Sequence, residues 1–435
     1  MNRMGLGESV KPAVDVLFIE KSFGLSGSTM SLCTLLGHLD AEAYRPHVVV
    51  SRREQREYLL RHVGTLKEVA LITEARSLKS SSVVEHLVRL VQWRAPRAER
   101  VLMWLIAVGD FLVGTIPYAV RLYSWARRRR VVLVHQNNGF DAGALIAARL
   151  LGAPMVGFQR GDEWNSFLVR SLAGFVDCYV ANSDATRANL LSLHIPQGRV
   201  RVVYPPIDFS RFDCDMRRRL RRRDFGIPES SRCFGIVGIL VEWKGHGVFL
   251  RAARRVFERM PQARAFVVGD TPTEQARYRV ELEELARELG ITDRVRFIGF
   301  REDMPEVLQL LDVVVHASVR AEPFGRVIVE AMAMKKPVVA SMAGGPVEIV
   351  ESGCNGFLVP PGDHDGLADR ILELLSDPER ARQMGEEAYR RACDRFSVAS
   401  HMEQIYEVYA ALLAPGGRVD AIPSGRAVAR EVRRR

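Results

Sequence analysis

The chain has 435 residues and a net charge of +10; 47% of its residues are hydrophobic and 26% are charged. That length predicts at least two domains, and the composition excludes an intrinsically disordered protein. The six cysteines are scattered without close pairing, which excludes a cysteine-rich zinc site or disulfide framework and favours a reducing compartment.

The N-terminal stretch lacks the apolar core of a signal peptide, so we expect a cytoplasmic protein. The first apolar run, "VDVLFI", is interpreted as a strand that begins at Val14. The turn "FGLSGSTMS" follows it and places Gly27 and Ser28 where a helix begins. A glycine turn of this kind suits a phosphate ligand, but such turns are common and weakly specific.

Short strands rich in valine and isoleucine alternate with amphipathic helices in both halves of the chain. This pattern predicts two doubly wound α/β domains with parallel sheets. We predict a first domain over residues 1–205 and a second over 206–390, with a ligand cleft between them. A helix over 391–413 is expected to dock back, and 414–435 to form a basic mobile tail.

An apolar insertion at 101–125 contains twenty residues, "VLMWLIAVGDFLVGTIPYAV", and is long enough to cross a membrane. Asp110 near its middle argues against crossing, as do Gly109, Gly114 and Pro117, which should interrupt the helix. Two readings remain: helices that cover the first sheet, or a patch in the membrane interface. The second would indicate a peripheral protein of the inner membrane face.

Three arginine-rich runs, Arg127–Arg130, Arg217–Arg223 and the C-terminal "RAVAREVRRR", carry more charge than the whole net excess. No aromatic residues are interleaved with them, so we expect no nucleic acid partner and favour an anionic membrane surface. The acidic "DCD" at Asp213–Asp215 opens an arginine-rich helix and is interpreted as helix-start acidity, not as a metal site.

Polar residues follow two predicted strands of the first half. His135 ends "VVLVH", where a structural hydrogen bond and a role in the cleft are both open. Gln159 and Arg160 end "APMVGFQR". Arg160 can bind a phosphate or a sugar hydroxyl, but a guanidinium does not act as a base near neutral pH.

In the second half, "GILVEWKGHG" places Lys244 beside a helix that starts near Gly245. A lysine next to a helix N-terminus can bind a diphosphate; an ordinary exposed lysine is the alternative. "MAGGPVEIV" supplies Gly344 and Gly345 at a further strand-to-helix turn.

The stretch "AEPFGRVIVEAMAMKKPVVAS" contains Glu322 and, after seven residues, Glu330. Pro323 and Gly325 mark a helix start that can bind an anion. Glu330 is surrounded by apolar neighbours, and an ionised carboxylate there needs a partner. It is either a lone glutamate that reaches the surface or an acceptor for a vicinal diol such as a ribose.

From about Val14 to Leu413 the chain resembles the GT-B glycosyltransferases, in particular the large retaining family 4. The resemblance is most specific in "EPFGRVIVEAMAMKKPVVAS" and "GGPVEIVESGCNGFLVPPGD". It implies that Glu322 contacts the donor sugar and Glu330 the nucleotide ribose. It also implies that the backbone amides of Phe324 and Gly325 meet the donor's sugar and phosphate.

By the same resemblance, Lys244 holds the diphosphate and the turn at Gly27 faces it from the other domain. The implied activity is a retaining sugar transfer from a nucleotide-sugar donor to a lipid-linked or envelope glycan, without metal or cofactor. Fixed cations that stabilise the leaving diphosphate suit this chemistry.

Two positions depart from the family pattern. Ile239 stands where the family commonly has an arginine, and Arg326 is the candidate to replace that cation. Gln159 and Arg160 stand where many members have a histidine near the transferred sugar. A nucleotide-sugar epimerase, a non-catalytic binding protein and a polyanion binder therefore stay open as alternatives.

Overall fold

The structure is a computed structural model that describes residues 13–22, 27–74, 96–161, 171–212, 220–271 and 276–415. The acidic motif Asp213–Asp215 and residues 416–435 of the predicted tail lie outside these ranges.

Contacts divide the chain into two compact units. The first holds the described residues up to Ala181, then Asn189–Arg201 and the residues from Met402 onward. The second holds Asn182–Ala188 and Val202–His401. The chain thus passes between units more often than the single predicted join at 205/206.

The first unit is built on a seven-stranded sheet in the order β3-β2-β1-β4-β5-β6-β7. Its strands are β1 (Val14–Glu20), β2 (Tyr44–Val50), β3 (Val69–Leu71), β4 (Leu133–Gln136), β5 (Met155–Gln159), β6 (Cys178–Ala181) and β7 (Val200–Val202). The pairs from β3 through β6 are parallel. The edge strand β3 has three residues, too few for the sequence pattern to have predicted it.

The described helices of the first half of the chain are α1 (Gly27–Gly37), α2 (Arg53–His62), α3 (Pro96–Asp110), α4 (Ile116–Arg127), α5 (Ala142–Leu151) and α6 (Asp184–Ser192). They lie between strands that are consecutive in the chain, because parallel neighbours need a long crossover connection, usually a helix.

The second unit is built on a six-stranded sheet in the order β10-β9-β8-β11-β12-β13, and all its neighbouring pairs are parallel. The strands are β8 (Cys233–Val237), β9 (Arg264–Val268), β10 (Val295–Gly299), β11 (Val313–His316), β12 (Val338–Ser341) and β13 (Phe357–Val359). Its described helices are α7 (His246–Arg259), α8 (Ala276–Glu288), α9 (Met304–Leu310), α10 (Arg326–Ala333), α11 (Pro346–Ile349), α12 (His364–Ser376) and α13 (Pro378–Phe396). The last helix, α14 (Val398–Leu413), belongs to the first unit from Met402 onward.

Both faces of the second sheet are covered. Val313 and Val315 of β11 belong to one core cluster, which includes residues of α7 and α12. Val314 belongs to another, which includes residues of α10 and α13. Because alternate residues of a strand point to opposite faces, this arrangement requires apolar residues at every position. The prediction of doubly wound α/β domains is confirmed.

The predicted C-terminal helix over 391–413 has different bounds. Residues 391–396 are the end of α13, and α14 begins at Val398. Ser397 separates the two helices because its backbone is extended, with ψ 152°. Their apolar spacing predicts one buried face for Met402, Ile405, Tyr406, Tyr409 and Leu412 of α14; four of them are buried and Tyr406 is half-buried.

The apolar insertion forms an uninterrupted helical run. A π-helical turn, Phe111–Thr115, joins α3 directly to α4, so the prediction that Gly109, Gly114 and Pro117 interrupt the helix is wrong. Pro117 lacks an N–H, and it is tolerated in the first turn after the change from π to α hydrogen bonding.

The two ends of this run differ in burial. Tyr118, Ala119, Leu122 and Ala126 of α4 are fully buried, and a side chain at Gly143 of α5 would overlap the Tyr118 ring. α4 therefore packs against α5 within the first unit. The preceding part of the run instead leaves large apolar side chains in solvent.

Six large apolar side chains of this run are 50–64% exposed, and we call them the apolar ridge. They are Val101, Trp104, Leu105, Leu112, Val113 and Val120. Among the described residues, the run Val101–Arg127 is the one helix long and apolar enough to cross a membrane, with a mean hydropathy of 1.7.

Candidate functional site

Three adjacent strands of the second sheet, β8, β11 and β12, end at one edge. Carboxyl ends of parallel strands share an edge, and ligands of such sheets bind there. The loops that follow these strands carry Lys244, Glu322 and the pair Gly344–Gly345. The structure brings these three loops into contact.

Lys244 ends a short 3-10 turn, Glu242–Lys244, immediately before α7. Gly245 caps α7 with φ 73°, and a Cβ there would overlap the carbonyl oxygen of Ala317 after β11. Only glycine meets both demands. This close approach places the Lys244 ammonium 2.7 Å from Oε1 and 2.6 Å from Oε2 of Glu322.

Glu322 is held by three side chains. Besides Lys244, Ser318 Oγ donates to Oε2 at 3.1 Å and His316 Nε2 lies 3.4 Å from the same oxygen. Burial alone would raise the pKa of this carboxyl, but the Lys244 charge and the His316 contact outweigh it and hold the pKa well below its usual range. Glu322 is therefore an ionised carboxylate paired with the Lys244 cation.

Gly344 and Gly345 support this arrangement through their backbone. Gly345 N donates to Glu322 O at 2.8 Å, and a Cβ at either glycine would overlap the backbone of Glu322 or Phe324. The two glycines therefore let the β12 loop pack against the segment that carries Glu322. A direct donor contact for them stays a prediction.

The helix start that Pro323 and Gly325 predict is observed one residue beyond Gly325. α10 begins at Arg326, and Gly325 caps it with φ 101°. The Phe324 side chain is buried and packs edge-on against the ring of Phe396 at 5.7 Å. This packing anchors the peptide whose amides the resemblance assigns to the donor.

Glu330 has a partner within its own helix. It is 8% exposed, and Arg326 Nε donates to its Oε1 at 2.7 Å. The i,i+4 spacing brings these two side chains together. Arg326 is thus engaged with Glu330, while Ile239, where the family has an arginine, is 47% exposed.

The remaining predicted residues lie in the first unit. Gly27 begins α1, and Ser28 Oγ donates to Glu20 Oε1 at 3.3 Å. Glu20 ends β1 and is fully buried. It also accepts from the Ser22 amide at 2.7 Å and from the Asn137 side chain. Neutral donors thus compensate this carboxylate.

Arg160 follows β5 and is oriented by the residue after β4. Its Nε donates to Asn137 O at 2.9 Å and its Nη2 to Asn137 Oδ1 at 3.1 Å. The guanidinium also stacks over the Phe158 ring at 3.9 Å. Two hydrogen bonds and one stacked face fix its position.

His135 and Gln159 are interior residues. His135 is fully buried, and its Nδ1 lies 2.7 Å from the Tyr409 hydroxyl of α14. The role in a cleft is therefore not supported, because the ring lies within the packed sheet and helix layers. Gln159 is 2% exposed, and its amide donates to Gly161 O.

The sequence interpretation missed four residues that shape these edges, namely Glu20, Asn137, His316 and Ser318. Each stands at or just after a strand end, which is the signal that could have identified them. Among the described residues, no group of three or more His, Cys, Asp or Glu side chains could hold a metal ion.

Two family descriptions match the chain: Glycosyl transferases group 1 over residues 217–391, and Glycosyltransferase Family 4 over residues 25–211. The alpha-D-kanosaminyltransferase of Streptomyces kanamyceticus is 32% identical over 69% of this chain and 83% of its own length. The chain belongs to the GT-B glycosyltransferases of family 4, group 1. The predictions of that family and of a transferase are confirmed at this level.

Two other relatives of this glycosyltransferase are informative. The D-inositol 3-phosphate glycosyltransferase of Corynebacterium urealyticum is 34% identical over 62% of this chain, and the match spans 66% of that relative, just under two thirds. The structure of HepE from Anabaena in complex with UDP and glucose has a TM-score of 0.73 and 26% identity; the match covers 91% of this chain and 99% of HepE.

Proposed function

We propose that this glycosyltransferase moves a sugar from a UDP-sugar to an acceptor hydroxyl with retention of the anomeric configuration. The observation that carries the proposal is the Lys244–Glu322 ion pair at the strand ends, with Glu330 eight residues further on. The complex of HepE with UDP and glucose supports uridine diphosphate as the carrier.

Lys244 would stabilise the leaving group. Transfer breaks the bond between the sugar C1 and the diphosphate oxygen, so negative charge develops on the diphosphate. The Lys244 ammonium and the N-terminal ends of α7 and α10 would present positive charge to that oxygen, which would lower the barrier. We therefore propose that the reaction needs neither a metal ion nor another cofactor.

Two carboxylates would orient the donor. Glu322 would accept hydrogen bonds from the transferred sugar, and Glu330 from the vicinal hydroxyls of the ribose. Arg326 binds Glu330 Oε1, so the ribose would use Oε2. This arrangement gives the buried carboxylate a second, ligand-borne partner.

The acceptor we propose is a lipid-linked or envelope glycan, and Arg160 is the candidate to bind it. The arginine stacks on Phe158 and is held by Asn137, so it can position a phosphate or a hydroxyl without reorganisation. A phosphorylated polyol is the second candidate, favoured by the relatives named as D-inositol 3-phosphate glycosyltransferases.

We further propose that the apolar ridge docks the enzyme on the inner face of a membrane. Large apolar side chains with Trp104 among them suit the interface. Arg121, Arg127 and Arg128 are exposed on the same helical run, and they would meet anionic headgroups.

Vesicle flotation tests the membrane proposal. The wild type should float with phosphatidylcholine vesicles that contain phosphatidylglycerol, and less with phosphatidylcholine alone. A Leu105→Ser/Leu112→Ser variant should stay at the bottom of the gradient. Val280→Ser is the control, because Val280 of α8 is 52% exposed outside the ridge. Equal flotation of all three proteins would contradict the proposal.

A donor screen tests the activity. UDP-, GDP- and ADP-sugars are compared by ligand-observed NMR, and acceptors that include glycolipids and inositol phosphate are then assayed with the donor that binds. We expect UDP-sugar binding, and Glu330→Ala should raise the donor KM at least about tenfold, since two hydrogen bonds to a charged group are lost. Epimerised sugar without acceptor would favour the epimerase instead.

A further inference from the structure

His316 is a buried histidine at the donor edge that the proposed chemistry does not use. It is the last residue of β11 and is 4% exposed. Its Nε2 lies 3.2 Å from Ser318 Oγ and 3.4 Å from Glu322 Oε2. Ser318 Oγ in turn donates to the same Glu322 oxygen at 3.1 Å. One carboxylate oxygen thus receives two contacts from the strand that precedes it and the loop after that strand.

The hydrogen-bonding surroundings of the His316 imidazole indicate that Nε2 carries a proton. Within the described part of the chain, the buried His316 Nδ1 has no hydrogen-bond partner. A proton on Nδ1 would be a buried donor without an acceptor, which is costly. The proton therefore belongs on Nε2, from which the ring donates to Glu322 directly and through Ser318.

The contacts of Glu322 differ in how a donor would affect them. Lys244 binds both carboxylate oxygens, but its ammonium is also the group that would meet a diphosphate. Once the ammonium turns to the phosphate, Glu322 loses part of its strongest interaction. His316 and Ser318 contact the carboxylate and each other, and would keep these contacts.

We propose that His316, together with Ser318, is a positioning residue that keeps Glu322 in place while Lys244 engages the donor diphosphate. The inference rests on the proposed function. It assigns Lys244 to the capture of the donor, and His316 and Ser318 to the orientation of Glu322 toward the sugar.

Two substitutions of His316 separate this role from packing. A glutamine amide can occupy the place of Nε2, whereas an asparagine amide reaches only the place of Nδ1. We expect His316→Asn to lower kcat about tenfold or more, since a hydrogen bond to a charged group is lost. His316→Gln should recover most of that loss, and Ser318→Ala should resemble the asparagine variant.

Binding of UDP is the matched control. UDP carries no sugar and should meet Lys244, so its Kd should stay within about twofold of wild type in all three variants. Equal losses of kcat in His316→Gln and His316→Asn would overturn the proposal. So would a UDP affinity that falls in parallel with kcat.

Urea unfolding tests the contact without turnover. A double-mutant cycle of His316→Asn and Glu322→Gln should show coupling between the two positions; additive effects would overturn the contact itself. If the wild type binds no nucleotide sugar, the proposed function fails and the positioning role fails with it, whatever the cycle shows. Normal donor binding with no effect of His316→Asn on kcat removes the positioning role alone.

Discussion

Each of the two parallel sheets has a largely buried glutamate near the carboxyl ends of its strands, but the two glutamates have different hydrogen-bonding partners. At the second sheet, Glu322 is paired with the Lys244 ammonium. At the first, Glu20 is held by a backbone amide, a hydroxyl and a side-chain amide. A cation can be redirected to an incoming anion, whereas neutral donors that face only a carboxylate cannot replace a charge.

This difference indicates what each edge is built to do. The second edge carries an exchangeable charge, which suits capture and release of a diphosphate. The first edge uses its carboxylate to fix Asn137, which in turn fixes Arg160. Parallel sheets thus determine where a site can form, and side-chain compensation determines its chemistry.

Removal of the exchangeable cation should have the largest effect. We expect Lys244→Ala to lower kcat/KM for the donor by about a hundredfold to a thousandfold, as for other groups that stabilise developing charge. Steady-state kinetics with varied UDP-sugar measures it. Lys335→Ala is the control, since it removes a lysine that pairs with Glu386 at 3.2 Å, outside the strand-end loops. Similar losses in both variants would show that the effect is not specific to the site.

The charged pair should also make stability depend on pH. Glu322 is ionised in the folded protein and has a lowered pKa there, while an unfolded glutamate has a pKa of about 4.3. Its contribution is therefore fully present above that value and is lost as the pH falls toward the folded-state pKa. We expect wild type to lose about 2 kcal/mol more than Glu322→Gln on acidification. Urea unfolding at several pH values measures this difference, and parallel curves would contradict it.

Glu20→Gln should disturb the first edge by a smaller amount. The new amide group would face donors where an acceptor is needed, so we expect a loss of about 1–2 kcal/mol in the free energy of unfolding. Thermal unfolding monitored by circular dichroism measures it. The UDP Kd should be unchanged, and a large change in UDP binding would mean that the two edges are not chemically separate.

Arg160 should give the smallest effect of the four. We expect Arg160→Lys to raise the acceptor KM about fivefold to tenfold, since a lysine lacks the fork that Asn137 holds. The donor KM should stay near wild type. Initial rates with the acceptor varied at saturating donor provide the measurement. A change confined to the donor KM would instead assign Arg160 to the donor.

Much of this arrangement could be predicted because it depends on local pattern. Valine-rich strands and glycine turns located both sheets, and Lys244 and Glu322 were each placed at a strand end. The structure brings these two side chains into contact although they are 78 residues apart. Their common edge follows from parallel strand order alone.

The features that the sequence did not predict are the hydrogen-bonding partners of particular side chains. The partner of the Glu330 carboxylate was expected outside its own helix, at the surface or on a ribose. The structure instead shows a hydrogen bond from Arg326, four residues earlier in the same helix. The sequence is compatible with either partner. An i,i+4 ion pair forms only if the two side chains share a helix face that the rest of the fold leaves room for. His135 was ambiguous for a similar reason, since its partner Tyr409 comes from a helix 274 residues away.

The π-helical turn at Phe111–Thr115 has a consequence for the direction of the apolar ridge. Val120 lies nineteen positions after Val101, and in an uninterrupted α-helix that interval would rotate Val120 by about 100° from Val101. A π-helical turn contains one residue more than an α-helical turn, and this extra residue cancels a rotation of about 100°. The π turn therefore places Val101 and Val120 on the same side of the helical run. Deletion of one residue from the turn would move the two ends of the apolar ridge to different sides.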